Sequence, residues 1–142
     1  MPDDALRLDR QPCFPLYVAA RMIMRLYVPL LEPLGLTYTQ YITLLVLWEK
    51  DDIPVKAIGD KLYLDTGTLS PVLKILEKQS LIRRRRNPDD ERSVLVHLTA
   101  QGRLLKHQAA HIPQAVEAAI RLTDEESKTV RRLLDRFQAD AL

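Results

Sequence analysis

The sequence predicts a mainly α-helical fold with one small β-hairpin. Hydrophobic residues make up 46% of the 142 residues, only 4 residues are glycine, and most apolar residues follow helical spacing. Residues 81–99, LIRRRRNPDDERSVLVHLT, break this pattern, because four arginines lead into an Asn-Pro-Asp-Asp turn. The apolar residues Val94, Val96 and Leu98 then alternate, as in a half-buried strand. A chain of this length suits a single domain over residues 1–142.

The first long helix is predicted over residues 13–31, which present a broad apolar surface. Pro12 and Pro15 fit its start, where a missing backbone N–H costs little, although Pro15 leaves the first helical residue uncertain. The segment Glu32-Pro33-Leu34-Gly35 ends this helix. A capping box, Thr37 to Gln40, then opens a second helix that runs to about Glu49.

Two short helices with a tight join follow, and together they predict a helix-turn-helix. Pro54 starts the first of them, and the second runs from near Asp65 to Gln79. Pro71 is awkward in a helix that begins at Asp65 and comfortable in one that begins at Ser70, so both starts stay open. With the hairpin added, residues 37–99 predict a winged helix-turn-helix.

Helical spacing returns after the hairpin, over Thr99 to Leu122, with a break or kink near Pro113. A second capping box at Thr123 opens a last helix. The flanking segments, 13–36 and 100–142, carry wide apolar faces that must be buried. We expect them to pack against a second copy of the chain and form a homodimer, which would match a two-fold DNA site.

Charge is concentrated around the hairpin. Residues 70–106 carry a net charge of +5, whereas the whole chain carries +2. A basic patch on a nearly neutral protein is typical of contact with nucleic-acid phosphates, although a solvated charged face is the alternative. The first ten residues lack an apolar signal region. We expect no membrane span, because no uninterrupted apolar run reaches the roughly 18 residues that one needs. These features predict a cytoplasmic protein that binds duplex DNA and no membrane.

The second short helix and the hairpin supply the candidate DNA-binding residues. Asp65 is a good N-cap, and the small or hydroxylated residues after it let the helix end approach base edges and phosphates closely. Arg92 at the hairpin tip is placed to enter a minor groove, with Asp90 to hold it, unless the two form only a weak surface ion pair. The full set is Asp65, Thr66, Gly67, Thr68, Ser70, Lys74, Arg84, Arg86, Asp90 and Arg92.

The single cysteine, Cys13, lies in the first turn of the first helix, where the helix dipole favours a thiolate. Tyr17 is on the same face, four residues further on. The alternative is an inert core thiol. His107 and His111 are four apart, but no local ligand completes a metal site, and no catalytic pattern stands out. We therefore expect that the protein binds no metal or cofactor and is not an enzyme.

Several motifs together resemble the MarR family of winged-helix repressors. The stretch Asp90 to Thr99, DERSVLVHLT, followed by Gly102, is similar to the wing of the whole family. The stretches PCFPLY from Pro12, YVPLL from Tyr27, LTYTQY from Leu36 and LYLDTGTLSP from Leu62 are similar to the organic-hydroperoxide-sensing OhrR branch. The resemblance extends over most of the chain, from about Cys13 to Leu122.

The resemblance implies a mechanism. Such proteins are homodimers that repress a peroxidase gene from a pseudo-palindromic operator. Cys13 would be oxidised by an organic hydroperoxide to a sulfenic acid. Tyr27 and Tyr38 would hold the reduced sulfur across the subunit boundary, with Tyr17 nearby, and oxidation would release the operator. The recognition helix would contribute Thr66 to Lys74, and the wing Arg92. With no second cysteine, the chain is similar to the type in which a small thiol caps the oxidised sulfur.

Two other hypotheses remain at this point. A MarR-type regulator could respond to a small aromatic ligand or to another oxidant, in which case DNA release would survive the loss of Cys13. A one-cysteine thiol peroxidase is disfavoured, because no alternating βαβ pattern surrounds the cysteine.

Overall fold

The computed structural model describes residues 2–139. The chain divides into two compact units, one ending at Ala110 and the other beginning at His111, and each is described by itself. The first unit contains a mainly helical body with a small antiparallel sheet, as the sequence predicts. The second unit is a pair of helices.

The first unit opens with a short helix α1 (Pro2–Ala5), a 3-10 turn (Leu8–Arg10) and the long helix α2 (Phe14–Leu31). Cys13 is the N-cap of α2, and Pro15 lies in its first turn. Because a first-turn residue needs no intrahelical N–H bond, Pro15 is accommodated in a helix that begins at Phe14, one residue after the predicted start. A second 3-10 turn (Glu32–Leu34) ends at Gly35, whose backbone is left-handed, with φ of 70°.

Helix α2 corrects one expectation from the sequence. Residues Phe14–Leu34 are long and apolar enough to cross a membrane by length and composition, with a mean hydropathy of 1.3 over the best window. Only 6% of that window is buried within the chain. The earlier expectation missed the segment because Arg21 and Arg25 interrupt the apolar run. An exposed apolar helix of this kind is also what a dimer interface requires.

Helix α3 (Tyr38–Glu49) begins with the predicted capping box, in which the side chains of Thr37 and Gln40 each bond the other's backbone N–H. Its buried face includes Leu44 and Leu47. Together with apolar residues of α4 (Val55–Leu62) and α5 (Thr66–Lys78), they form the core of the unit. Its fully buried members are Leu44, Leu47, Ile58, Leu69, Leu73 and Leu76.

The helix-turn-helix consists of α4 and α5. Asp65 is the N-cap of α5, and Pro71 lies inside the helix. The structure therefore chooses the earlier of the two starts that the sequence left open. The turn between the helices is tight, because Tyr63 adopts a left-handed backbone with φ of 57° and Leu64 donates its N–H to the carbonyl of Gly59.

The predicted hairpin consists of β2 (Ile82–Asn87) and β3 (Asp90–Leu98), paired antiparallel from Ile82 opposite Leu98 to Arg86 opposite Val94. A third strand, β1 (Ile53–Pro54), pairs with β3 and gives the order β1-β3-β2. The sequence did not predict β1, because a strand of two residues is too short to show alternation.

Helix α6 (Ala100–Ala109) follows the wing, capped by the Thr99 hydroxyl, which accepts from the N–H of Gly102. The carbonyl of Gly102 accepts a 2.9 Å hydrogen bond from the indole N–H of Trp48. In the second unit, α7 (Ile112–Ile120) begins beside Pro113 and α8 (Asp124–Ala139) begins after Thr123. The predicted break near Pro113 and the predicted helix after Thr123 are thus both present.

Candidate DNA interface and thiol site

The first turn of α5 is presented to solvent. Thr66, Gly67 and Thr68 are all exposed, whereas Leu69 immediately after them is fully buried. Asp65 Oδ1 accepts a 2.7 Å hydrogen bond from the backbone N–H of Thr68, and this bond lowers the pKa of the Asp65 carboxyl. The capped helix end therefore offers small side chains on its outer face, as the predicted DNA contact needs.

A cleft of about 410 Å³ lies between α5 and the wing. It brings together residues that are far apart in the sequence, from the helix and from both wing strands. Ser70 is half-buried in it, while Lys74 and Arg86 are exposed outside its lining. The candidate residues among its walls are Thr66, Ser70, Arg84, Asp90 and Arg92.

Arg84 is less available than the sequence suggested. The Glu77 carboxylate accepts hydrogen bonds from the Arg84 backbone N–H at 2.9 Å and from the Arg84 guanidinium at 3.4 Å. Only 27% of the Arg84 side chain is exposed. Burial raises the pKa of Glu77, but the bonds and the charge of Arg84 outweigh it, so the pKa lies below its ordinary value. The sequence analysis missed Glu77, whose only sign was an acidic residue within a basic segment.

The wing tip is fixed through its backbone. Asp90 Oδ1 accepts a 3.0 Å hydrogen bond from the backbone N–H of Arg92. Among the ion pairs of residues 2–139, none involves the Arg92 guanidinium. Asp90 thus shapes the tip and leaves the guanidinium free, rather than pairing with it as the sequence analysis considered.

The opposite face of the wing is held by the loop after α3. Arg85 donates to Asp52 at 2.8 Å, and Asp51 accepts at 2.8 Å from the backbone N–H of Leu98. Neighbouring residues on a strand point to opposite faces, so Arg84 and Arg86 share the face toward α5.

Cys13 is exposed on the single chain, at the N-cap of α2. Tyr17, whose backbone N–H bonds the carbonyl of Cys13, is 59% exposed, and Phe14 lies beside it with ring centroids 6.4 Å apart. The thiol is therefore not a core residue of its own subunit, contrary to the alternative that the sequence left open.

Tyr27 and Tyr38 lie together, with ring centroids 4.7 Å apart. Tyr41 joins them at 5.9 Å from Tyr27 and 6.4 Å from Tyr38. Burial raises the pKa of all three hydroxyls, so each remains protonated and able to donate at neutral pH. The sequence analysis did not include Tyr41, although its position three residues after Tyr38 on one helix places both on the same side.

A pocket of about 550 Å³ opens beside these tyrosines. Its walls are mostly apolar and come from α2, from the turn that follows it and from the start of α3. They include Met24, Tyr27, Val28, Leu31, Leu36 and Tyr38. Cys13 of the same chain is not close, because a rise of roughly 20 Å along α2 separates it from Tyr27.

Within residues 2–139, no group of three or more histidine, cysteine, aspartate or glutamate side chains could hold a metal ion. His107 and His111 therefore have no third ligand among the described residues.

Comparison with known proteins matches this geometry. Residues 25–109 match the model of the family described as the transcriptional regulator SarA/Rot. The chain is 45% identical over 131 residues to the organic hydroperoxide resistance transcriptional regulator of Bacillus subtilis, covering 92% of this chain and 89% of that protein. The chain belongs to the MarR family of winged-helix regulators, in the organic hydroperoxide branch.

Solved structures of MarR-family proteins superpose on this one. The structure of reduced AbfR, a Staphylococcus epidermidis protein, bound to DNA gives a TM-score of 0.80 at 31% identity, covering 100% of this chain and 99% of that one. The C80S mutant of Escherichia coli MarR complexed with operator DNA gives a TM-score of 0.72 at 29% identity, covering 87% and 94%. This MarR-family chain is accordingly a transcriptional regulator with the winged-helix fold, and not an enzyme.

Proposed function

We propose that the protein is a transcriptional repressor that senses organic hydroperoxides through oxidation of Cys13 and then releases its operator. The observation that carries the proposal is the pair of neighbouring Tyr27 and Tyr38 rings beside a pocket that their own Cys13 cannot reach. The tyrosine pocket of one chain thus lacks the thiol that it would hold, and Cys13 of a second copy would supply it. Such a repressor acts where its operator is, in the cytoplasm.

The DNA-binding half of the proposal is supported by the surface that α5 and the wing form together. Thr66, Gly67, Thr68, Ser70 and Lys74 would enter a major groove from the first half of α5. Arg92, with a guanidinium unpaired among residues 2–139, would enter a minor groove. Arg86 would contact the phosphate backbone with help from Arg84, so affinity should fall steeply as salt is raised.

The homodimer would be formed by segments 13–36 and 100–142. Support comes from α2, whose apolar side chains are exposed in one chain, among them Leu16, Met22, Leu26 and Val28. Burying such a surface is favourable at about 25 cal/mol per Å². A two-fold dimer would bring the Cys13 end of one α2 to the tyrosine pocket of the partner and would present two winged helices to a pseudo-palindromic operator.

The chemistry proposed at Cys13 is a two-electron oxidation. The thiolate attacks the terminal oxygen of a hydroperoxide ROOH, an S–O bond forms, the O–O bond breaks and the alcohol ROH leaves after protonation, giving Cys13–SOH. A small thiol then condenses with the sulfenic acid, which forms a mixed disulfide and releases water. Protonated Tyr27 and Tyr38 would donate hydrogen bonds to the reduced sulfur, and a larger oxidised group would disrupt them.

Operator binding before and after addition of cumene hydroperoxide tests the proposal. The wild-type protein should release the duplex, the Cys13→Ser variant should not, and intact mass with a small thiol present should increase by that thiol less two hydrogens. Release that persists in Cys13→Ser would contradict sensing by this residue.

A heterodimer tests whether the site is shared between subunits. One subunit carries Cys13→Ser, and its partner carries Tyr27→Phe with Tyr38→Phe. If each site combines the cysteine of one subunit with the tyrosines of the other, this heterodimer keeps one complete site and responds to hydroperoxide. A matched homodimer with all three changes in both subunits should not respond. If the heterodimer and this homodimer both failed to respond to hydroperoxide, the tyrosines would act within their own chain.

The pocket also favours a second candidate function, a regulator that responds to a small aromatic ligand. At about 550 Å³, with mostly apolar walls, its size suits such a molecule. In that case the ligand alone would release DNA from both the wild-type protein and Cys13→Ser.

A further inference from the structure

The first turn of α5 contains a glycine that the fold itself does not require. Gly35 has a left-handed backbone, and a Cβ at Gly59 would lie 2.6 Å from the carbonyl oxygen of Leu64. Gly67 has neither restriction, since an added Cβ would meet only Asp65 Oδ1, at 3.4 Å. Because glycine is less favourable than alanine within a helix, the missing side chain indicates close approach by something outside the chain.

Pro71 lies one turn after Gly67, is exposed, and is inside the helix. Proline has no backbone N–H, so it cannot donate the hydrogen bond that the Gly67 carbonyl would otherwise receive from residue 71. Among residues 2–139, no side chain donates a hydrogen bond to the Gly67 carbonyl, and the side-chain hydrogen bonds of α5 and its caps are those of Asp65, Glu77 and Gln79. A proline ring also clashes with the carbonyl four residues earlier, and helices commonly kink at an internal proline for this reason. The Gly67 carbonyl therefore lacks its helical N–H donor and keeps a lone pair for an outside donor, and Gly67 itself adds no side chain beside it.

We propose that the main-chain carbonyl oxygen of Gly67 recognises a base of the operator, by accepting a hydrogen bond from the exocyclic amino group of an adenine or a cytosine. This inference rests on the proposed DNA-binding function and adds a specific sequence contact to it.

The donor follows from the chemistry of duplex DNA. Phosphates only accept hydrogen bonds, and the donors that the major groove offers are adenine N6 and cytosine N4. The N-terminal residues of a recognition helix are those that meet base edges. Gly67 and Pro71 are the second and sixth residues of α5, and Thr66 and Ser70 beside them line the cleft toward the wing. A main-chain acceptor here would distinguish an amino group from the keto oxygen of guanine or thymine.

The Pro71→Ala variant tests the inference, because alanine restores the N–H that would close the helical bond on the Gly67 carbonyl. The probe is a duplex selected by the wild-type protein from a randomised library. Each adenine in it is replaced in turn by purine and each cytosine by 2-pyrimidinone, which lack the amino group. At one position per half-site, the wild-type protein should lose about fivefold to tenfold in affinity. In Pro71→Ala, removing the amino group at that position should cause no further loss of affinity. This variant should also melt at a higher temperature than wild type.

Two controls separate this contact from others. If the ring of Pro71 instead packed on a thymine methyl, replacing thymine by uracil would weaken wild-type binding and leave Pro71→Ala unaffected, which would overturn the inference. Gly67→Ala should fold and melt at least as high as wild type, yet bind the selected duplex less tightly. The inference would also be overturned if, at every position, removing the amino group lowered the affinities of wild type and Pro71→Ala equally. A wild-type protein that selects no sequence would instead overturn the proposed function.

Discussion

Glu77, on the recognition helix α5, accepts hydrogen bonds from both the backbone N–H and the guanidinium of Arg84, on the first strand of the wing. The two elements that we propose to face DNA are thereby joined through one carboxylate. Their relative orientation decides whether a major-groove contact and a minor-groove contact can be made together. The Glu77–Arg84 pair is therefore a structural link within the proposed DNA-binding surface, and it restrains one of the four consecutive arginines.

Removing this link should weaken both stability and DNA binding. We expect Glu77→Ala to lower the free energy of unfolding by about 1 kcal/mol, because the Arg84 N–H loses its partner, and to lower operator affinity several-fold. Chemical denaturation and a fluorescence-anisotropy titration measure the two effects. Glu49→Ala is the matched control, since it breaks only an exposed pair with Lys61 at 3.4 Å and should cost less than about 0.5 kcal/mol. Equal effects of the two changes would show that the Glu77 link is unimportant.

Arg92 should contribute to specific binding through its guanidinium. We expect Arg92→Ala to weaken binding to the operator by about 1–3 kcal/mol, without a change in melting temperature. Arg83→Ala is the control, because Arg83 is exposed on the face of β2 that points away from α5. Unchanged operator affinity in Arg92→Ala would remove this residue from the DNA interface.

The helix cap at Asp65 predicts a dependence of stability on pH. The hydrogen bond from Thr68 N–H lowers the pKa of Asp65 in the folded chain. Its contribution is therefore present above the pKa of the unfolded chain, near 4, and disappears as pH falls through the lower folded value. We expect wild type to melt above Asp65→Asn at pH 7 and the gap to close on acidification to about pH 2. A gap that is constant with pH would show that the charge on Asp65 does not contribute.

Gly102 should tolerate no side chain. A Cβ there would overlap the backbone carbonyl of Leu81, which cannot move without separating the wing from α6. We expect Gly102→Ala to lower the free energy of unfolding by about 2–4 kcal/mol. Gly67→Ala is the matched control, because its Cβ has room and alanine is the better helix former. Comparable melting temperatures for wild type and Gly102→Ala would contradict the packing seen at Leu81.

The sequence predicted what depends on neighbouring residues. Caps such as Thr37 and Asp65 bond groups only a few residues away, and the hairpin follows from strand alternation around one turn. Such features rely on short-range hydrogen bonds and on the periods of helix and strand, which are visible along the chain. The family motifs carried the same information further, to the class of regulator and to Cys13.

Tertiary structure alone decided what depends on residues that are distant in the sequence. The two-residue strand β1 exists because β3 lies beside it, and Tyr41 joins Tyr27 because two helices pack together. The Pro71 ambiguity was likewise resolved in favour of a helix that continues through the proline, since Leu69 on one side of it and Leu73 and Leu76 on the other are all buried in the core. Sequence patterns thus determined the elements and the class of protein. Long-range packing, whose energy comes from burying apolar surface, decided which side chains meet and which arginines are restrained.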